Sequence, residues 1–169
     1  MIKITLRNIT TDTDTELHLP MNNEELEVML DKSCEYLIVD YDPVLDISEF
    51  ESVIELNNLM QKCAEKDISA DMLSVLSIVL TYEEVKERIE KENYQIINFK
   101  DYMPYGDGTV DADKGRALFE AGVYDPFTVL VPKELMDWID WDSVWDNAEC
   151  EGWQKIRYKG NCYLVNYRK

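Results

Sequence analysis

ADMLSVLSIVLTYEEVKERIEKENYQIINF, residues 70–99, changes character twice in thirty positions. Residues 70–80 are apolar on nearly every side, which predicts a buried helix with Ser69 as its N-cap. TYEE (81–84) has the capping-box form, Thr81 facing Glu84. It opens a second helix with Val85 and Ile89 on its apolar face. YQIINF (94–99) then reads as a strand. Upstream, ISEFESVIELNNLMQKC (47–63) puts Val53, Leu56, Met60 and Cys63 at helical spacing. Residues 47–92 therefore form a helical module.

The flanks are mixed. IKITL (2–6) and TELHL (15–19) alternate like strands around a turn at Thr10–Asp14. Pro20 ends the second strand, and Asn22 or Asn23 caps a helix running to about Asp31. EYLIVDY (35–41) is a third strand. Beyond residue 99, 100–109 reads as a loop and 111–122 as a short helix stopped by Gly122. Residues 131–150 read as mostly helical, with Pro132 near the first turn. A hairpin turning at Gly160-Asn161 closes the chain. The expectation is an α+β fold of three small consecutive modules: 1–46, 47–92 and 93–169.

Charge is the anomaly in composition. The chain has 169 residues, is 46% hydrophobic and carries a net charge of −18. That apolar content predicts a folded protein. Residues 10–55 hold fourteen acids against Lys32 alone, and residues 101–151 hold thirteen against Lys114, Arg116 and Lys133. The segment between them is nearly balanced, and the end is basic: Lys155, Arg157, Lys159, Arg168 and Lys169. Self-repulsion on this scale destabilises a compact state, so the acids call for a use.

Dedicated chemistry finds little footing. The cysteines at 34, 63, 150 and 162 form no C-x-x-C pair and lack histidine neighbours; His18 is the only histidine. No zinc site follows from that spacing, and reduced, mostly buried thiols in a cytoplasmic protein are expected. An EF-hand started at Asp111 places Gly115 at its fifth position, Arg116 at its sixth and Gly122 at its twelfth, so it fails. Gly106 and Gly108 lack the lysine of a phosphate loop. Carboxylate pairs suited to glycoside hydrolysis are unavoidable among 35 acids and carry no specificity. No run is long enough to cross a membrane, and the start does not read as a signal peptide. No enzyme activity, metal or cofactor is expected, and no direct nucleic-acid binding.

An acid array can imitate a phosphate array. Duplex DNA carries one charge per ~1.7 Å, so a net charge of −18 matches ~30 Å of duplex. Asp142, Asp146 and Glu149 fall at i, i+4 and i+7 on one helical face, with Leu135, Trp138, Val144 and Trp145 for the apolar side. A DNA mimic is one reading. An acidic module for another basic protein (a nuclease, a CRISPR effector, a nucleoid protein), a hydrolase, and a merely soluble structural domain are the others.

Several segments, in order, resemble the ArdA-type antirestriction proteins of plasmids and conjugative transposons. They are LPMNNEELEVML (19–30), YLIVDYD (36–42), ISEFESVIELNNL (47–59), LTYEEVKERIEKENYQIINF (80–99), GRALFEAGVY (115–124) and VPKELMDWIDWDSVWDN (131–147). The last is similar to the family's Pro-x-x-Leu-x-x-Tyr-Ile-Asp-Tyr-Glu-Ala segment, with Trp138 and Trp141 at its Tyr positions and Asp142 at its Glu. Trp145 and Asp146 depart from the family's small residue and Arg. The resemblance implies an elongated, three-domain, homodimeric mimic that occupies the DNA groove of type I restriction-modification enzymes and blocks cleavage. The expected phosphate-mimicking acids are Glu24, Glu25, Glu27, Asp31, Asp40, Asp42, Asp46, Glu49, Glu51 and Glu55, then Asp137, Asp140, Asp142, Asp146, Glu149 and Glu151. The expected dimer contact is Leu135, Trp138, Ile139, Trp141 and Trp145.

Overall fold

The computed structural model describes residues 2–31, 33–127 and 130–167. Lys32, Arg168 and Lys169, counted above among the cations, lie outside the described residues. The fold is α+β, divided into two compact units, Met1–Glu92 and Asn93–Lys169.

The first unit opens with a three-stranded antiparallel sheet of order β2-β1-β3: β1 (Ile2–Asn8), β2 (Thr13–Leu19) and β3 (Tyr36–Tyr41). Strand alternation puts Ile2, Ile4, Leu6, Leu17, Leu19 and Ile38 inside. The register passes from Thr5↔Asp40 to Leu6↔Ile38, so Val39 is an extra residue in β3 and is 42% exposed. On the outer face Arg7 and Asp14 are direct cross-strand partners, paired through two hydrogen bonds of 2.8 and 3.0 Å.

α1 (Asn23–Met29) is capped by Asn22, whose side chain accepts from the backbone N–H groups of Glu24 and Glu25. It buries only Leu26 and stops two residues short of the expected Asp31. α2 (Val53–Glu65) starts where Ser52 accepts from the Glu55 N–H, later than the 47–63 span suggested. Its inner face is Val53, Leu56, Leu59, Met60 and Cys63. α3 (Ala70–Val79) is capped by Ser69. α4 (Tyr82–Lys91) has the full capping box: the Thr81 hydroxyl accepts from the Glu84 N–H, and the Glu84 carboxylate accepts from the Thr81 N–H.

The second unit is a three-stranded antiparallel sheet of order β4-β6-β5: β4 (Gln95–Asn98), β5 (Gln154–Tyr158) and β6 (Asn161–Asn166). Central β6 is buried from Cys162 to Asn166. Asn98 caps α5 (Phe99–Tyr102), a single turn where a loop was expected, and Phe99 leaves the strand for the core. α6 (Asp111–Glu120) and α7 (Trp141–Cys150) pack closely on each other. A Cβ at Gly115 would lie 2.3 Å from the Trp141 carbonyl oxygen, so only glycine permits this approach. The core joins Phe99, Leu118, Trp145, Trp153 and Leu164.

Two expectations are corrected here. Residues 131–150 are not one helix: Lys133–Trp138 is 3-10, Ile139 is extended, and α7 begins afresh at Trp141. The cause is Asp140, whose carboxylate accepts from the Ser143 N–H at 3.2 Å and from its hydroxyl at 2.8 Å. The hairpin turns at Lys159-Gly160, one residue earlier than read, because Tyr158 pairs with Asn161. Both turn residues have positive φ, 47° and 77°, as a type I′ turn requires.

Candidate functional site

The acids singled out from the sequence are surface groups. Fifteen of the sixteen are exposed, and Glu51 is half-buried. They rise from every kind of element. Glu24, Glu25 and Glu27 flank the one buried residue of α1, and the first two sit at its positive end. Asp40 stands in β3; Asp42 follows it and accepts the Lys3 N–H at 2.8 Å. Asp46, Glu49 and Glu51 lie on the segment leading to α2, which carries Glu55.

On α7 the face is cleanly divided. Trp141, Val144, Trp145 and Ala148 are buried, while Asp142, Asp146 and Glu149 are exposed. The 3.6-residue period sets the three acids on one side of the helix, spaced ~4.5–6 Å along its axis. Asp137 precedes the helix on the 3-10 turn, and Glu151 follows it as the C-cap.

Where the cations go decides whether these charges are spent internally. Arg7 pairs with Asp14, Lys3 with Glu16, Lys62 with Glu90, and Lys66 with Glu92. Lys91 pairs with Glu87 and Arg116 with Glu120. All six of these acids lie outside the sixteen. Within the sixteen, Glu55 pairs with Lys86, and Asp137 lies 3.8 Å from Arg116. The lysines and arginines mostly neutralise helix flanks and the outer sheet face, leaving much of the candidate array to solvent.

Local bonding splits the array by role. Ser33 N–H and hydroxyl donate to Asp31, holding its carboxyl below the usual range. The Ser143 hydroxyl, then its N–H, does the same for Asp140. Both groups stay ionised and shape the backbone as well. Glu51 differs: burial first, then the charge of Glu83, pushes its carboxyl up.

The sequence reading missed Tyr82 and Glu83, which stand beside Glu51 across the start of α4. Tyr82 is 8% exposed, and its hydroxyl has no hydrogen-bond partner among the described residues. Burial, then Glu51, Glu83 and Glu55, push that phenol up. The helical spacing of Tyr82, Val85 and Ile89 in α4 could have shown Tyr82 as inward-facing; nothing in the sequence shows an unpaired hydroxyl.

Of the expected contact residues, Leu135 and Trp138 are 52% and 85% exposed, and Leu130 nearby is 96% exposed. Ile139 is half-buried. Trp141 and Trp145 are core residues, 7% and 1% exposed, and offer a partner no surface. The Trp141 ring stacks obliquely on Phe119 at 5.5 Å, and its Nε1–H donates to the Met136 carbonyl. The same correction applies to the apolar side expected of this segment: Val144 and Trp145 supply it, Leu135 and Trp138 do not.

Among the described residues, no group of three or more His, Cys, Asp or Glu side chains is arranged to hold a metal ion. No helix among them is long and apolar enough to cross a membrane. The family model described as antirestriction protein (ArdA) matches residues 11–158. The chain belongs to the ArdA family. That match reaches across both compact units and takes in every candidate acid. The family implies an antirestriction function and, at a coarse level, a protein partner. Among curated proteins no sequence match is found.

Proposed function

We propose that this ArdA protein is a DNA mimic that occupies the DNA-binding groove of type I restriction-modification enzymes and blocks cleavage. One observation carries the reading: nearly all the candidate acids are exposed, while most paired cations are bound to other acids. A groove lined by Lys and Arg binds DNA largely by releasing condensed counterions. A protein surface with comparable charge density competes for the same cations. Asp142, Asp146 and Glu149 form one such row along α7. The charge is spread over helices, strands and loops, so affinity is shared among many groups and no one of them is catalytic.

The proposal includes a homodimer, with exposed Leu135 and Trp138 at its contact and Ile139 beside them. A bare Trp at 85% exposure is costly in water and favours association. The cytoplasm, where restriction enzymes meet incoming DNA, is the compartment that this activity requires.

The test is cleavage protection with purified protein. Unmodified plasmid is digested by a type I enzyme, and methyl transfer is followed in parallel. Protection that falls steeply between low and moderate salt supports mimicry. Protection of DNA from unrelated nucleases, with no effect on type I enzymes, would replace this target with another basic protein. Loss of all inhibition after one Asp→Asn change would point to a carboxylate enzyme instead.

A further inference from the structure

α1 turns a single residue to the core, Leu26, which is fully buried. At about 100° per residue, Val28 falls roughly 200° from Leu26, on the far side of the helix. It is 86% exposed. Met29 lies between the two directions and is 47% exposed. With Met21 from the loop before the helix, they line one open recess of about 540 Å³, together with Glu24 and Glu25. Single exposed apolar residues need no explanation. Several gathered in one recess and rimmed by charge mark an interaction site. The recess is also fixed in place. Asn57 bonds both backbone polar groups of Met21, and Gln61 donates to its carbonyl at 2.8 Å. A site held rigid before binding loses less freedom when it is filled.

We propose that this recess receives an apolar side chain of the basic protein partner, one flanked by Lys or Arg in that partner's surface. The identity of the partner rests on the DNA-mimic reading; the chemistry of the recess does not. Charge complementarity selects this occupant. Glu24 and Glu25 line the recess, Glu27 is exposed on the same helix, and Asp31 is exposed just beyond it. A second copy meeting this face with its own would set acid against acid. A partner without cations would desolvate Glu24 and Glu25 and leave them unpaired. Lys and Arg satisfy both needs: their stems lie on Val28 and Met29 while their heads reach the carboxylates. The two methionines adapt to the shape of the inserted group. The recess thus adds what a row of phosphates lacks, an apolar anchor within a diffuse electrostatic contact. The acids steer the encounter, and the anchor prolongs it.

The experiment measures inhibition of a type I enzyme across a salt series for the wild type and two double variants. Val28→Gln with Met29→Gln removes the anchor and keeps every charge; glutamine suits an exposed helix position, so the chain should fold. This variant should inhibit ~10-fold more weakly at every salt concentration, with the slope against log salt unchanged. Glu24→Gln with Glu25→Gln should instead lower that slope by about two. An apolar variant that matches the wild type at every salt concentration, or that changes the slope, would overturn the proposal. Sedimentation equilibrium checks the other occupant: a wild-type dimer that the apolar variant turns into monomers gives the recess to a second copy and also overturns it. A further measurement needs no restriction enzyme. Acetyl-Lys-Arg-Phe-Arg-Lys-amide, and the same peptide with Ala for Phe, are titrated into the full-length protein while backbone amide shifts are followed. Shifts centred on residues 21–29, binding at least ~5-fold tighter with Phe, and loss of that preference in the apolar variant support the recess. Equal binding of the two peptides, or a preference that survives in the apolar variant, overturns it. A chain that prefers the Phe peptide but protects no DNA from type I enzymes supports the recess and overturns the restriction target. Protection that the apolar variant leaves intact overturns the recess alone.

Discussion

Asn57 grips Met21 by both of its backbone polar groups. The Met21 N–H donates to Asn57 Oδ1 at 2.9 Å, and Asn57 Nδ2 donates back to the Met21 carbonyl at 3.0 Å. Asn57 is fully buried on α2, and Met21 lies between β2 and α1. The second Nδ2 hydrogen goes to Asn23 Oδ1 at 2.6 Å, and Gln61 adds a further donor to the Met21 carbonyl. One side chain thus ties the sheet's exit loop to the helices behind it. Asn57→Leu removes the clamp and leaves the half-buried Met21 N–H without this partner. The expected loss is about 2–3 kcal/mol, read from urea denaturation followed by far-UV circular dichroism.

Gly115→Ala pits two effects against each other. Alanine favours a helix interior by about 1 kcal/mol over glycine. Its Cβ, however, would meet the Trp141 carbonyl oxygen at 2.3 Å and the Trp145 N at 3.0 Å. These are backbone atoms of α7 and cannot rotate aside. The helices must separate, opening the packing around Trp145. The net expectation is destabilisation by about 1–3 kcal/mol. All four tryptophans lie in the second unit, so their fluorescence during denaturation measures it directly.

How much of the molecule is legible in its sequence follows from the range of the forces involved. Local signals read true: the Ser69 cap, the Thr81–Glu84 box and the acidic face of α7 all depend on residues within one or two helical turns. Local competition reads less well. Asp140 looks like one more acid on a continuous helix, yet as a cap for Ser143 it starts a new one. Asn98 likewise ends β4 by capping α5. What stays illegible is tertiary. Trp138, Trp141 and Trp145 are equally aromatic on paper, but α6 packs over only the last two. The unpaired hydroxyl of Tyr82 depends on what fails to approach it, which no pattern of residues records.

Thiol reactivity separates the four cysteines. Cys150 is exposed on α7, Cys34 is half-buried, and Cys63 and Cys162 are buried. Burial pushes the Cys63 thiol from 9.0 up to about 11. Iodoacetamide at pH 8 should therefore label Cys150 first and spare Cys63 and Cys162 until the chain unfolds, as peptide mapping would reveal. Because the folded state favours the neutral thiol, the contribution of Cys63 to stability is complete below pH 9. It is lost progressively as pH rises through about 11, because the unfolded chain releases its proton first. Cys63→Ala should flatten that alkaline decline in a pH series of denaturation midpoints.

Lys114 is a cation inside the second unit, 4% exposed, paired with Asp111 and 4.4 Å from the centroid of the Trp145 ring. Asp111→Asn leaves this ammonium buried without its counter-ion. Asp111 is itself half-exposed, so water can partly substitute, and a loss of about 1–2 kcal/mol is expected. Removing both charges, as Asp111→Asn with Lys114→Met, should restore much of it, since the methionine chain keeps the packing against Trp145. A thermal-melt double-mutant cycle tests this, and equal losses in the single and double variants would refute it.

Charge spread over a surface predicts a graded response to its removal. If the chain is the proposed DNA mimic, Asp142→Asn alone should weaken inhibition of type I cleavage by less than ~3-fold, because its neighbours retain most of the field. Asp142→Asn, Asp146→Asn and Glu149→Gln together erase the row on α7 and should cost at least ~10-fold. The three lie outside the buried face, so the triple variant should fold normally and, with less self-repulsion, melt no lower than the wild type. The salt dependence is the sharper measurement. Neutralising each phosphate-like carboxylate that meets the enzyme should reduce the slope of log affinity against log salt by about one. Asp140→Asn serves as the control: its amide oxygen can still accept from Ser143, so the cap survives while one charge is gone. A triple variant whose inhibition and salt slope both match the wild type would mean that α7 faces away from the enzyme, and that the acids before residue 56 carry the binding.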